Sequence, residues 1–305
     1  MPSRIDSNIS GFLLVDKPHG ITSFDVVASC RRLFETKKVG HSGTLDPFAT
    51  GLLIIAFGEA LKLLEFLPSQ PKVYTGDGVF GATSDTLDRE GSITPQCDDA
   101  TVREKVSREL VEQTMYQNLL GKISQTPPKY SAIKIDGVSA HYRARRGEEI
   151  IMKPRAAEVY SFDVPSLNPP YFTFECSVSS GTYVRSLIDT LGSLLGVGAF
   201  VGSLRRESIG PFSVTDAHTA EELSQPEADV AAFLLPLEAG VSELVRVDIS
   251  PDEHRRLSNG LEIALSSDID LTQDVYAAFC DSVCVGILEV VDGSALKFRK
   301  LLHRT

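Results

Sequence analysis

Apolar and polar positions along this chain change period several times, and each change marks an element. Gly11-Phe12-Leu13-Leu14-Val15 runs apolar to a stop at Pro18, which predicts a short strand. Thr22 and Asp25 have capping-box spacing ahead of Val26, Val27, Cys30, Leu33 and Phe34, which share one helical face. Leu52 to Phe57 is unbroken apolar sequence, as in a buried strand, and Ala60, Leu63, Leu64 and Leu67 then predict a short amphipathic helix ending before Pro68. Lys72 to Gly81 reads as a strand weakened by Gly76 and Gly78. Thr101 and Glu104 predict the start of a helix carrying Val102, Val106, Leu110 and Leu119. Tyr171 to Val178 alternates as a half-buried strand does. A helix from Gly181-Thr182 then buries Tyr183, Val184, Leu187, Ile188, Leu191, Leu194 and Leu195. Glycines at 196, 198 and 202 break it, and Ser203-Leu204-Arg205-Arg206 leads into a further strand. After Val241 the pattern shortens: Ser250, Pro251 and Glu253 open a helix, Gly260 closes it, and strands are expected at 275–279 and 283–290. Periodicity alone thus gives strands mixed with helices.

Between the first helix and the buried strand lies Val39-Gly40-His41-Ser42-Gly43-Thr44-Leu45-Asp46-Pro47-Phe48-Ala49-Thr50-Gly51. Pro47 biases Asp46 away from helical backbone, and the apolar run beyond anchors the loop. A carboxylate on such a loop is placed as a nucleophile must be. Read locally, Asp46 is equally the residue of an Asp-Pro turn that bonds neighbouring N–H groups.

At 305 residues, with 42% hydrophobic and 23% charged positions, the chain has an ordinary globular composition and length for one large domain and a small one. No apolar run approaches the roughly 20 residues of a membrane span, and no signal core opens the sequence. Five cysteines without a CxxC pair or a histidine cluster predict free thiols in a reducing cytoplasm and no metal site. The net charge of −11 argues only weakly against a polyanionic partner, because charge is uneven along the chain. Seven cations (Lys129, Lys134, Arg143, Arg145, Arg146, Lys153, Arg155) face three carboxylates (Asp136, Glu148, Glu149) in a segment read as a projecting loop or hairpin.

Several pieces of the chain together resemble the TruB-type tRNA pseudouridine synthases. In order they are GFLLVDKPHGITS (11–23), VGHSGTLDPFATGLL (39–53), GEALK (58–62), KVY (72–74), SDTLDREG (84–91), QTPPKYSAIKIDG (125–137), ARRG (144–147), GTYVRSLI (181–188) and LRR (204–206). The fifteen residues around GTLDP are the specific part. Leu61 stands where threonine is usual, Ser84 replaces a threonine, and the Gly76/Gly78 pair is unusual for this family. The resemblance implies an α+β fold: a catalytic domain over 1–240, with a mixed, largely antiparallel sheet flanked by helices and a basic RNA-gripping insertion at 129–155. It also implies a PUA-like RNA-binding β-barrel over 241–305. It implies isomerisation of uridine 55, in the T-loop of tRNA, to pseudouridine, without cofactor or metal, by a cytoplasmic monomer. The family's catalytic aspartate falls on Asp46, its tyrosine on Tyr74 and its arginine on Arg185; the histidine that enters the T-loop falls on His41. Lys17, Lys62, Tyr183 and Leu204 fall on pocket-lining or RNA-contacting positions, and Lys129 and Arg145 belong to the gripping segment.

The chemistry explains why such residues would be wanted. An enzyme acting on a stacked base must extrude the nucleotide, at a cost of a few kcal/mol, and an imidazole at 41 could fill the gap. Histidine bonded to its own loop is the plainer use of His41. Burial would discharge Asp46 unless a cation such as Arg185 opposed it. The carboxylate would then attack sugar or base, or stabilise a glycal-like intermediate. Tyr74 offers a stacking face, and its OH, with a free pKa of about 10, is a poor general base; a half-buried strand tyrosine is the alternative. Two other functions fit these residues, a tRNA-folding chaperone without chemistry and a synthase acting on another RNA stem-loop.

Overall fold

The structure, a computed structural model, describes residues 9–131, 133–135, 137–148, 150–225, 231–264 and 273–303, without the side chains of Lys134, Ile135, Ser139, His141, Ala144 and Arg145. Asp136 and Glu149 of the basic segment lie outside the described residues.

The core of the large domain is the expected mixed sheet. Apart from two two-residue strands, its strands are β1 (Gly11–Lys17), β2 (Val39–Ser42), β3 (Thr50–Phe57), β4 (Lys72–Phe80), β5 (Gly121–Gln125), β6 (Arg155–Asp163), β7 (Tyr171–Val178) and β8 (Ala199–Ile209). They run in the order β1-β3-β8-β4-β7-β6-β5, with β2 also on β3. Pairing along this path is antiparallel except where Thr50 and Gly51 of β3 lie parallel to Arg205 and Arg206 of β8. The second edge of β3 is thus divided between β8 at its start and β2 at its end. The loop carrying Asp46 leaves the sheet at that fork.

The apolar run in β3 is continuous because both faces of the strand are covered. Leu53, Ile55 and Phe57 pack with Val26, Val27 and Cys30 of α1 (Ser23–Leu33) and with its C-cap Phe34, while Leu52, Ile54 and Ala56 face the opposite core. Each such side chain contributes roughly 2 kcal/mol on burial, so β3 is a firm base for the loop. Helix α1 starts with the expected capping box between Thr22 and Asp25.

Several elements depart from their sequence patterns or add to them. The helix expected from Thr101 is two helices, α2 (Asp99–Lys105) and α3 (Arg108–Asn118). Asp98 Oδ1 caps the first by accepting from Thr101 N, and Ser107 Oγ caps the second. Buried Val106 is extended between them, and Leu110 is exposed instead of buried. Residues 58–63 form a 3-10 helix. Of the loop or hairpin expected for the basic segment, the structure has the hairpin, Lys134–Ile135 with Val138–Ser139, and adds a helix, α4 (Ala140–Arg145). Helix α5 (Val184–Leu194) begins after Gly181, whose φ of +85° is not helical, and Ser203 to Arg206 already lie within β8.

The unusual glycines of β4 have a packing cause. A Cβ on Gly78 would collide with the Phe172 ring, and one on Gly76 with the Ser203 carbonyl and the Phe174 ring. These rings of β7 lie over β4, and Phe172 stacks on Phe80 at 4.3 Å. Gly76→Ala is therefore expected to destabilise the fold by about 2–3 kcal/mol in urea unfolding. Gly202→Ala, where a Cβ would have 3.4 Å of room, should lie within about 1 kcal/mol of wild type. Equal midpoints for the two variants would refute this packing account.

The C-terminal sheet has the order β9-β11-β12-β13-β10, from Arg246–Asp248 (β9), Ile263–Ala264 (β10), Val275–Cys280 (β11), Val283–Val291 (β12) and Ala295–Leu301 (β13). One face buries Tyr276, Ala278 and Leu288 with Leu257 of α6 (Pro251–Ser258), which carries the expected Ser250–Glu253 capping box. The other face sends Ala277, Phe279, Cys284 and Ile287 into the core shared with Phe12, Leu14, Leu52 and Ile54. The boundary expected at 240/241 falls inside the 3-10 helix Leu237–Val241, which packs in that shared core.

Candidate active site

The loop from Gly43 to Ala49 is held by its own carbonyl groups. Ser23 Oγ, at the start of α1, donates to Leu45 O at 3.1 Å and accepts from Leu45 N at 2.9 Å. Lys17 Nζ, fully buried, donates to Pro18 O, Ile21 O and Pro47 O, and Gly20 N also donates to Pro47 O. Arg206 donates from Nη2 to Gly43 O at 3.1 Å and from Nε to Leu52 O at 2.8 Å. Leu45, Phe48 and Ala49 are buried. Bonds to the carbonyls of Gly43, Leu45 and Pro47 fix where the intervening carboxylate stands.

That carboxylate meets Arg185. Arg185 Nη2 lies 3.0 Å from Asp46 Oδ2, with the guanidinium 4% exposed and the Asp46 side chain 36%. Arg185 Nη1 lies 3.0 Å from Asp88 Oδ2, and the same guanidinium donates to Thr86 O at 2.7 Å and Tyr130 O at 2.9 Å. Asp88, itself buried, accepts on Oδ1 from Thr86 Oγ1 and Glu90 N. One buried cation thus serves two carboxylates, one sealed in the protein and one open to a cleft. Charge-assisted bonds of this kind hold both acids in place and keep the guanidinium from being a stranded charge.

The cleft beside Asp46 has a volume of about 320 Å³, within the usual range for small-ligand sites. Asp46, Lys72, Tyr74, Tyr183, Leu204 and Arg206 are among its walls. Tyr74 is buried on β4, where it pairs with Arg206 on one side and Cys176 on the other. Tyr183 is fixed by the side chain of Gln125, which donates to Tyr183 O at 2.9 Å and accepts from Tyr183 N at 2.8 Å. Burial pushes the Tyr183 phenol above its ordinary pKa. The Lys17 ammonium is drawn down to about 8, chiefly by burial, although Asp46 opposes the shift.

Asp46, Tyr74, Arg185, Tyr183 and Leu204 therefore come together in one cleft, and the remaining candidates stand elsewhere. Lys17 lies beneath the loop as its support. His41 is half-buried on β2, with Nδ1 unpartnered among the described residues, and burial and Arg206 lower its pKa. Lys62 turns to the C-terminal sheet, pairing with Glu59 at 2.7 Å and donating to Leu301 O at 2.8 Å. Arg299 and Lys300 bond Glu65 across the same seam. Lys129 lines a separate cavity of about 790 Å³ bounded by β5, the 126–130 segment and α5. Arg145 lies on α4, and its side chain is outside the described residues. The sequence reading missed Asp88, Lys72 and Arg206 as members of the site. All three lie in motifs already noted, but nothing local marks a charged residue there as buried. Among the described residues no group of three or more His, Cys, Asp or Glu could hold a metal ion, and no helix is long and apolar enough to cross a membrane.

Comparison with known proteins gives consistent results. A family model described as TruB family pseudouridylate synthase (N terminal domain) matches residues 31–184, and one described as tRNA pseudouridylate synthase B C-terminal domain matches 185–242. The tRNA pseudouridine synthase B of Geobacter sulfurreducens is 42% identical over 291 residues, covering 90% of this chain and 94% of the relative. That of Dehalococcoides mccartyi is 38% identical over 285 residues, covering 92% of each chain. Among solved structures, a Cbf5-Nop10-Gar1 complex contains a chain similar in fold, with a TM-score of 0.71 and 24% identity over 99% of this chain and 87% of that one. A chain of an H/ACA RNP bound to a substrate RNA containing 2'-deoxyuridine also has a TM-score of 0.71, with 22% identity, 100% of this chain and 88% of that one being covered.

Proposed function

The chain belongs to the TruB family of pseudouridine synthases, and from that premise we propose that it isomerises uridine 55, in the T-loop of tRNA, to pseudouridine. The observation that carries this reading is the Asp46–Arg185 pair at 3.0 Å on the wall of a cleft also lined by Tyr74.

A uridine extruded from its loop enters beside the Tyr74 ring, which stacks on the base. Asp46, ionised against Arg185, attacks the nucleoside as the C1′–N1 bond breaks. The freed uracil turns in the cleft and rejoins C1′ through C5 as the Asp46 carboxylate is released; C5 then loses its proton and N1 takes one up. Leu204 and Tyr183 narrow the walls so that the detached base stays in place. Arg185 acts by keeping the Asp46 charge available in a partly dry site. His41, on the strand leading into the loop, occupies the stack that the base vacates. The sheet of 246–301 and the segment 129–155, Lys129 and Arg145 included, extend the grip along the RNA backbone, with 1–240 as the catalytic unit. The enzyme works as a monomer in the cytoplasm, without metal or cofactor.

With tRNA carrying 5-³H-uridine, one equivalent of tritium per tRNA should be released from the unmodified transcript. A transcript with cytidine at position 55 should release none above background. Undiminished release from the cytidine-55 transcript would move the target to another uridine.

A further inference from the structure

Three cations line the cleft: Lys72, Arg185 and Arg206. Their surroundings differ in one respect that matters for a polyanionic substrate. Arg185 is matched by two carboxylates. Arg206, 1% exposed, has only the carbonyls of Leu52 and Gly43, and no carboxylate within 4 Å among the described residues. Lys72 Nζ has no hydrogen bond or ion pair among the described residues, although its side chain is only partly exposed. The two unmatched cations converge. A Cβ placed on Gly43 would lie 3.4 Å from Lys72 Nζ and 3.6 Å from Arg206 Nη1. Gly43 has φ +74°, a backbone that disfavours side chains, so this corner of the cleft stays clear. Like charges gathered at one point with no counter-ion are costly unless an anion joins them. In keeping with this, burial and the Arg206 charge draw the Lys72 ammonium down to about 8.

Lys72 and Tyr74 are two residues apart on β4 and so point to the same face, roughly 7 Å apart along the strand. A nucleotide stacked on Tyr74 would carry its own phosphate about that far from its base.

We propose that Lys72, backed by the buried Arg206 guanidinium, binds a backbone phosphodiester flanking the extruded uridine and so sets how deeply the nucleotide seats against Asp46. The inference rests on the reading that the cleft receives a nucleotide of an RNA chain. Within that reading the three cations have different tasks. Arg185 holds the reacting carboxylate, Arg206 holds the loop and supplies a fixed positive field, and Lys72 meets the RNA.

The test is a binding cycle on the full chain with a T-arm hairpin RNA. In two singly substituted hairpins, a methylphosphonate neutralises the phosphate 5′ or 3′ of the target uridine. Lys72→Met should weaken binding of the unmodified hairpin about tenfold, as expected for one charge-assisted contact. One of the two methylphosphonates should weaken wild type by a similar factor and leave Lys72→Met unchanged. Lys72→Arg should restore both the affinity and the sensitivity to that phosphate, which a merely structural role would not produce. If Lys72→Met unfolds, Lys72→Gln, neutral and still polar, runs the same cycle. Losses that multiply when variant and methylphosphonate are combined would overturn the proposal, as would a Lys72→Met protein that binds like wild type. Binding is read independently of turnover. Absence of pseudouridine from hairpin treated with wild type would count against the proposed function, while the cycle still decides the phosphate contact.

Discussion

Asp46→Asn should reduce single-turnover isomerisation of tRNA by about 10⁴-fold or more, while tRNA affinity stays within about threefold of wild type. The amide has almost the shape of the carboxylate but cannot act as a nucleophile or carry the negative charge. The substitution should also leave the fold intact, for a reason specific to this site. Arg185 keeps Asp88 at 3.0 Å and the carbonyls of Thr86 and Tyr130 when Asp46 is neutralised, so no buried cation is stranded. The loop itself is held by Ser23, Lys17 and Arg206 through backbone carbonyls, none of which involves the Asp46 side chain. The measurement is tritium release beside filter binding and a thermal melt. Retained binding and melting temperature with lost turnover would also separate the enzyme from a protein that only helps tRNA fold. Turnover within about tenfold of wild type would remove Asp46 from the chemistry.

What the sequence made legible was whatever depends on near neighbours. The capping boxes at Thr22–Asp25 and Ser250–Glu253 are contacts over three residues, and both are present. The run Leu52–Phe57 announces a strand covered on both faces, because only such a strand has no polar side. The break at Val106 was hidden because Asp98 and Ser107 are each an ordinary cap, and tertiary burial of Val106 decided between one helix and two. Within the site, Asp46, Tyr74 and Arg185 were found by resemblance, since no local pattern brings residues 46, 74 and 185 together. Asp88 could not be found from its neighbourhood. SDTLDREG reads as a polar loop, and only the fold turns Asp88 inward to Arg185. The same limit applies in reverse to Lys62, a cation that suits a phosphate equally well on paper but is taken up by Glu59 and the Leu301 carbonyl.

The acidic total and the RNA substrate are reconciled by where the charge is compensated. Arg299 and Lys300 at the end of β13 are paired with Glu65. Lys72 and Arg206 inside the cleft have no carboxylate partner among the described residues. A net charge of −11 therefore coexists with a positive corner in the cleft beside Asp46. Local field, rather than the sum over the chain, is what a phosphate group meets.

Arg185→Met is expected to lower both activity and stability, unlike Asp46→Asn. Removing the guanidinium leaves two carboxylates facing a space without a cation, and Asp88 is nearly sealed from water at 4% exposure. Stranding one member of a buried pair costs about 3–5 kcal/mol, large against the ~5–15 kcal/mol that holds a typical domain together. The methionine fills most of the arginine's volume, so the loss is electrostatic rather than a cavity. Adding Asp88→Asn removes the stranded charge, and the double variant should regain more than half of the lost stability in urea unfolding. It should not regain turnover, because Asp46 has still lost the guanidinium that stood 3.0 Å from it and oriented its charge in the cleft. Stability and activity, lost together in the single variant, would thus separate in the double one. If Asp88→Asn added no stability to Arg185→Met, the Arg185–Asp88 contact would not be the buried pair that the 3.0 Å geometry describes. If turnover returned along with stability, Arg185 would be needed for the fold alone, and the Asp46 charge would have to be maintained by some other group.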